Sequence, residues 1–313
     1  MIETRELCKR YGPLTAVDSI SFTVEPGQVL GFLGPNGAGK STTMKMVAGF
    51  LTPTSGQALV CGFDVETHPI EAKQAMGYLP EGAPSYGEMT VADFLGFIAD
   101  VRGLTGQARK RQLDDAIGRL SLSGVLKQTI DTLSKGFRRR VGLAQAIVHD
   151  PKVLVLDEPT DGLDPNQKHE VRNLIQAMSK DKTIIVSTHI LEEVHAVCHR
   201  AIIIAKGKVL ADDTPAALEA RSRYHQAVSL SAENPAAVRD LLGALPDIAS
   251  VEIHAQDQRV TAFPKKGRQI FNAVTAALKD KNIAFRELAL EQGRLDEVFR
   301  TITQAEQTKK EAA

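Results

Sequence analysis

No apolar run in this 313-residue chain approaches the ~18 residues needed to cross a bilayer, and the start Met1-Ile2-Glu3-Thr4-Arg5 lacks the apolar stretch of a signal peptide. The chain is therefore expected to be cytosolic, with any membrane role supplied by a partner. An excess of either charge is lacking as well. Lysine plus arginine and aspartate plus glutamate stand at 38 each, so the overall balance points to neither a nucleic-acid nor an acidic-membrane binder. Cysteine is scarce. Cys8, Cys61 and Cys198 form an odd, scattered set without metal-ligand spacing, which reads as three small core hydrophobes in a reducing compartment. What the chain does have is length: it exceeds the usual single domain and suffices for one large core and a smaller second one.

The most informative stretch is the apolar run Val29-Leu30-Gly31-Phe32-Leu33, followed by Gly34-Pro35-Asn36-Gly37-Ala38-Gly39-Lys40-Ser41-Thr42 and a helix expected over Ser41–Phe50. Strand, glycine-rich loop and helix in this order make a P-loop. Gly37 and Gly39 let the backbone turn and bring its N–H groups to phosphate oxygens, and the helix adds its positive N-terminal end. Lys40 supplies a point charge to the terminal phosphates. Ser41 offers a hydroxyl to the Mg²⁺ that accompanies a nucleoside triphosphate.

In chain order, Ile2–Cys8 and Val17–Val24 read as strands separated by the loop Lys9-Arg10-Tyr11-Gly12-Pro13. Tyr11 in that loop either stacks on a base or is half-buried packing. After the P-loop helix come strands at Gln57–Cys61 and Met76–Leu79, then a break at Pro80-Glu81-Gly82. From Thr90 to Val148 helical periods replace strand signals, beginning with a Thr90…Asp93 capping box. This is a helical insertion, about 83–150, in an otherwise α/β domain. It ends in Leu133-Ser134-Lys135-Gly136-Phe137-Arg138-Arg139-Arg140, where Ser134 is placed to cap a helix Lys135–Val148 whose free N–H groups suit an anion. The arginine run reads as a solvated or partner-facing helix surface ahead of a nucleic-acid site.

The second chemical block, Val153-Leu154-Val155-Leu156-Asp157-Glu158, is a buried parallel strand ending in two carboxylates. A ligand site is expected at that carboxyl end. Asp157 suits Mg²⁺ held through water, and Glu158 is placed to orient or deprotonate an attacking water. The plainer alternative for the pair is a helix cap or surface turn. The turn Asp161-Gly162-Leu163-Asp164-Pro165 opens a helix, and the strand Thr183–Thr188, expected beside Val153–Leu156, delivers His189 to the same end, either as a structural histidine or, as its position favours, as a contact to a terminal phosphate.

The P-loop at Gly34–Ser41, the segment Leu133–Phe137, the Asp157-Glu158 pair, the turn Asp161–Asp164 and His189, in this order and approximate spacing, resemble the ATP-binding subunit of an ABC transporter over residues 1 to about 222. The resemblance implies a P-loop NTPase fold of the ABC ATPase kind, a mixed sheet core with a helical insertion. It implies that Tyr11 stacks on adenine, Glu158 is the catalytic base and His189 contacts the γ-phosphate. Ser134 and Gly136 would complete the site of an opposite subunit. With one P-loop and one signature, two such chains, or this one and a similar subunit, pair head to tail around two MgATP. The chain departs from the family twice. Lys135 and Phe137 interrupt the usual Leu-Ser-Gly-Gly-Gln, leaving Ser134 and Gly136 intact, and Glu81 replaces a usual glutamine, turning a neutral metal contact into a charged one.

Beyond residue 222 the pattern strand, helix, strand, strand, helix, strand over Gln226–Leu290 is that of a small α+β domain of the split βαβ, ferredoxin-like kind, spanning 223–303, followed by a flexible tail at 304–313. It carries no catalytic constellation and reads as accessory or regulatory. Leu295-Asp296-Glu297-Val298-Phe299 resembles the tail of ATP-binding subunits serving ABC-2-type exporters of the gliding-motility and drug-efflux branches, which implies membrane permease subunits as partners and a peripheral place on the inner face of the plasma membrane. The other functional reading is a soluble ABC-type ATPase acting on nucleic acid or ribosomes. Against it stand the single cassette, the balanced charge and the lack of a coiled-coil insertion or metal-binding cysteines, so no nucleic-acid partner is expected.

Overall fold

A computed structural model describes the backbone of residues 1–83 and 85–311, and side chains as far as Gln304. The first of two compact units covers Met1–Thr214. Its elements in order are β1 (Ile2–Tyr11), β2 (Leu14–Val24), β3 (Val29–Leu33), α1 (Lys40–Val47), β4 (Ser55–Val60), β5 (Phe63–Asp64), α2 (Pro69–Gln74), β6 (Met76–Leu79), α3 (Val91–Val101), α4 (Gly106–Arg119), α5 (Lys135–Ile147), β7 (Val153–Asp157), α6 (Pro165–Ser179), β8 (Thr183–Thr188), α7 (Leu191–Val197), β9 (Arg200–Ala205) and β10 (Lys208–Asp213).

β3, β7 and β8 are buried along their whole length, which is why their sequences are near-continuous runs of valine, isoleucine and leucine. They belong to a six-stranded sheet of order β10-β9-β3-β8-β7-β6, parallel from β9 to β6 with β10 antiparallel at the edge. The second sheet, β2-β1-β4-β5, is antiparallel. Helix α1 contacts strands of both sheets, and its Met44, Met46 and Val47 join Phe22, Phe32, Val155 and Ile202 in the core between them. Beyond β6, α3, α4 and α5 pack on one another as the helical insertion, and α5 returns the chain against β6. Thr90 caps α3 through Asp93 N, and Ser134 caps α5 through Phe137 N, as their sequence positions predict.

Three expectations are corrected here. β1 and β2 extend through the supposed loop to a two-residue turn at Gly12-Pro13, with Tyr11 paired to Leu14, so Tyr11 ends a strand. The hairpin register continues past the last apolar residue because the ladder hydrogen bonds do not depend on side-chain polarity. Of the arginine run, only Arg138 is exposed as expected. Arg139 and Arg140 are buried, Arg139 donating to the Pro80 carbonyl and Arg140 to Glu170. Finally, Cys8 and Cys198 are buried but Cys61 only partly so.

The second unit, Pro215–Ala313, begins earlier than the boundary expected after Ser222. It contains α8 (Pro215–Glu219), β11 (Val228–Ala232), α9 (Pro235–Gly243), β12 (Ile248–Ile253), β13 (Val260–Pro264), α10 (Phe271–Asp280), β14 (Phe285–Leu290) and α11 (Leu295–Glu311). The boundary moves because α8 packs against α11 and so belongs with this unit. Its antiparallel sheet has the order β12-β13-β11-β14, the arrangement of a split βαβ fold. Val238 and Leu242 of α9 and Val274 and Leu278 of α10 meet Val228, Leu230 and Val260 of the sheet in a separate core. Helix α11, expected to stop at Thr303, runs to Glu311, since its Gln, Glu, Lys and Ala residues favour helix and no glycine or proline interrupts them. Ala312 and Ala313, the remainder of the expected tail, lie outside the described residues.

At Gly77, β6 fits closely against α5. A Cβ on Gly77 would drive into the Ala146 carbonyl oxygen and stand 2.8 Å from Leu154 Cδ2. Because backbone cannot yield as a side chain can, Gly77→Ala should destabilise by about 2–4 kcal/mol and lower the thermal midpoint of the first unit by several degrees. An unchanged midpoint in calorimetry would show that the insertion is not held this closely to the sheet.

Candidate functional site

Three adjacent parallel strands end together, and each delivers a different group. β3 runs into the P-loop, β7 ends in Asp157 with Glu158 next, and β8 is followed by His189. Asp157 is register partner of Ser187, and Leu33 of Thr188, so the three ends are neighbours by hydrogen-bond pairing alone. This is the carboxyl edge of an open α/β sheet, where ligands bind. A cleft of about 540 Å³ opens there, lined by Tyr11, Leu14, Ala16, the loop from Asn36 to Thr42, Glu81 and Glu158.

The loop geometry depends on glycine. Gly39 has φ +107, outside the range of other residues, and a Cβ there would lie 2.5 Å from the Ala16 carbonyl oxygen. Gly34 is held against the Ile204 carbonyl, leaving no room for a side chain. Lys40, the first residue of α1, is buried and folds back so that Nζ donates to the carbonyls of Gly34 (2.7 Å) and Pro35 (3.2 Å). Burial lowers its pKa, and the carboxylates of Glu158, Asp157 and Glu81 oppose that shift. A buried ammonium facing three carboxylates, with only neutral carbonyls as acceptors, is a cation poised for stronger acceptors.

Asp157 is fully buried. Ser187 Oγ donates to its Oδ1 in a short hydrogen bond, and Ser41 Oγ lies 3.3 Å from the same oxygen. Its Oδ2 is buried with no hydrogen-bond partner. A buried carboxylate oxygen left unpaired is costly and calls for an explanation. A cation beside the Ser41 hydroxyl supplies one. Among the described residues no group of three or more His, Cys, Asp or Glu side chains could hold a metal ion, so the protein offers too few ligands for a complete cage. That suits Mg²⁺, which keeps waters and shares phosphate oxygens.

Glu158 sits in the left-handed region, φ 52, held by its N–H donating to the Ser187 hydroxyl (3.1 Å). His189 Nδ1–H donates to Glu158 Oε2 at 2.9 Å. Burial raises the Glu158 carboxyl above its ordinary value, and the His189 bond and the Lys40 charge pull against it. The turn beyond is anchored by buried Glu193, which accepts from the hydroxyls of Thr160 and Thr188.

The structure thus gathers Tyr11, the P-loop, Glu81, Asp157, Glu158 and His189 in one place. It does not bring Ser134 or Gly136 there. Neither lines the cleft, and Gly136 is packed on Gln167 of α6, where a Cβ would meet Oε1 at 2.6 Å. Ser187 is the residue that the sequence reading missed. Its signal was present: β8 turns from apolar to hydroxyl at Ser187-Thr188, at the same level at which β7 turns to carboxylates.

A profile of the ABC transporter family matches residues 17–161. The chain is 40% identical over 223 residues to the probable multidrug ABC transporter ATP-binding protein YbhF of Escherichia coli strain K12, covering 71% of this chain and 38% of that relative. It is 36% identical over 244 residues to the Nod factor export ATP-binding protein I of Burkholderia orbicola strain AU 1054, covering 78% of this chain and 80% of that one. Among solved structures, the ATP-binding subunit of an ABC transporter superposes with a TM-score of 0.66 at 28% identity, over 70% of this chain and 92% of that one. The chain belongs to the ABC transporter family, among its ATP-binding subunits. It nevertheless spans well under half the length of the first relative named here. No helix among the described residues is long and apolar enough to cross a membrane.

The raised Glu158 carboxyl has a consequence for stability. An acid whose folded pKa lies above its unfolded value contributes stability below the unfolded value, near 4.5, and loses it as pH rises through the folded value. At neutral pH the charged Glu158 therefore costs stability. Glu158→Gln should raise the thermal midpoint of the nucleotide-free protein near pH 7, with the gain shrinking toward pH 4.5. Equal midpoints at pH 7 would contradict a buried, charged Glu158.

Proposed function

We propose that the chain is the ATP-binding and ATP-hydrolysing subunit of an export-type ABC transporter, moving separate membrane-spanning subunits of the ABC-2 type from the inner face of the plasma membrane. The observation that carries this reading is the convergence of Lys40, Asp157, Glu158 and His189 at the ends of three paired strands. The export branch is supported by the Leu295–Phe299 segment, whose Leu295 and Val298 are buried, and by relatives described as multidrug and Nod factor export ATP-binding proteins.

In this reading, ATP enters the cleft with its adenine against the Tyr11 ring, which is 48% exposed and free to stack. The phosphates take the loop N–H groups from Asn36 to Thr42, and Lys40 exchanges its two carbonyl acceptors for anionic oxygens. Ser41 and Asp157, through Oδ2, would hold Mg²⁺, with Glu81 as a further contact from the cleft wall. Bound there, Mg²⁺ would neutralise charge on the phosphate oxygens. Glu158 orients the attacking water and accepts its proton, since its raised pKa brings it closer to working pH. His189 steadies that carboxylate and reaches toward the γ-phosphate. Ser134 and Gly136, which do not line this cleft, act on the nucleotide of a second copy or a similar subunit, so that ATP closes the pair and hydrolysis reopens it.

Glu158→Gln keeps shape and hydrogen bonding but removes the base. Hydrolysis should fall by roughly two to four orders of magnitude while ATP still binds, and light scattering should then show an ATP-dependent dimer. Undiminished hydrolysis would dismiss Glu158 as the base, and a strict monomer at saturating ATP would dismiss the paired site.

Ser187 is a positioning residue in this scheme. It fixes Asp157 Oδ1 and so leaves Oδ2 for the cation. Ser187→Ala should raise the Mg²⁺ concentration for half-maximal hydrolysis several-fold and weaken Mn²⁺ binding, followed by electron paramagnetic resonance with ADP present. Ser187→Thr, which keeps the hydroxyl, should restore both. Unaltered metal dependence in the alanine variant would reduce Ser187 to packing.

A further inference from the structure

A cleft of about 830 Å³ in the second unit has no part in the scheme above. Its wall carries Arg221, Arg223, His225, Lys265, Lys266 and Arg268, and no carboxylate is among its lining residues. Arg223 and Arg268 are balanced by carboxylates. Arg223 pairs with Glu252 at 2.9 Å and Arg268 with Asp247 at 3.4 Å, both carboxylates standing outside the lining. Among the described residues, Lys265 and Lys266 have no carboxylate partner.

The cations are held in place. Lys265-Lys266-Gly267-Arg268 is a tight turn, closed by Arg268 N–H donating to the Lys265 carbonyl at 2.9 Å, with Gly267 at φ +77 and Lys265 N–H tied to the Asp247 carbonyl. The Arg223 guanidinium, whose terminal nitrogens both donate to Glu252, is stacked over the rings of Tyr224 (5.1 Å) and Phe263 (4.7 Å), so its orientation is fixed. Like charges gathered around one concavity repel one another unless an anion enters. A structural role for the turn would need neither lysine.

We propose that this cleft binds a ligand bearing clustered phosphate groups, with Lys265, Lys266, Arg268 and Arg223 in its wall. The same chemistry is offered by anionic lipid headgroups and by soluble polyphosphorylated compounds, and the test separates them. The full chain is compared with Lys265→Gln/Lys266→Gln, and with the same variant carrying Arg268→Gln. The two lysines are exposed and unpaired, so the double variant should fold, and its circular dichroism and ATP hydrolysis should match those of the parent.

In sedimentation with phosphatidylcholine vesicles containing 30 mol% phosphatidylglycerol, the parent should bind in a salt-dependent way and the double variant roughly tenfold or more weakly, with neither binding pure phosphatidylcholine. In calorimetry with inorganic tripolyphosphate, the P-loop contributes equally to both proteins, and a second, variant-sensitive site should appear. Loss on vesicles identifies a lipid headgroup. Loss with tripolyphosphate alone identifies a soluble ligand. Parent and variants indistinguishable in both assays would overturn the proposal.

Discussion

The hydrogen-bond pairing of β3, β8 and β7 is the constraint on which the rest depends. Once those strands are parallel, adjacent and wholly buried, their side chains must be apolar along the strand, and polar groups can appear only where the strands emerge. All three emerge at the same edge. Phosphate loop, carboxylate pair and histidine are therefore brought together by backbone registry and need no direct affinity for one another. The register also settles which side chains touch: Asp157 meets Ser187 because the two are ladder partners.

That edge is assembled at a cost to the fold. A buried lysine rests on neutral carbonyls, a carboxylate oxygen is left unpaired, and Glu158 combines a left-handed backbone with a raised pKa. Each is unfavourable in the empty protein, by an amount that a polyanion with its cation would return. The core between the two sheets supplies the stability that offsets them, and the contact of α1 with both sheets fixes the loop to that core. What these features share is incomplete hydrogen bonding at charged groups: Lys40 Nζ has only neutral carbonyls as acceptors, and Asp157 Oδ2 has no partner.

Most of this edge was legible in the sequence because its signals are local. A run of four apolar residues ending in Asp157-Glu158 announces both a buried strand and where it ends, and the glycine spacing of the P-loop states its own geometry. Ser187 was not legible, since a serine near a strand end has many uses and only the lateral register reveals its partner. The burial of Arg139 and Arg140 was hidden for the same reason: three consecutive arginines look solvated until the Pro80 carbonyl and Glu170 are brought to them from distant positions. The early start of the second unit depends likewise on α8 meeting α11 across the 75 residues between Glu219 and Leu295, a contact that no local pattern encodes.

The departure at Lys135 follows from packing of the same non-local kind. Its side chain lies directly over Gly162, where any Cβ would collide with it, and its ammonium pairs with Asp161 at 2.9 Å. The exposed lysine side chain can swing aside, so the stricter demand for glycine at position 162 comes from its backbone, φ +74. The Lys135 hydrogen bond is what chiefly holds the Asp161 carboxyl below its ordinary range, but both partners are exposed, and such pairs contribute only about 0–1 kcal/mol. A contact of that strength orders the turn in the single chain and yields readily when another surface competes for either partner. Lys135 therefore adds a weak restraint between α5 and the turn that follows Glu158.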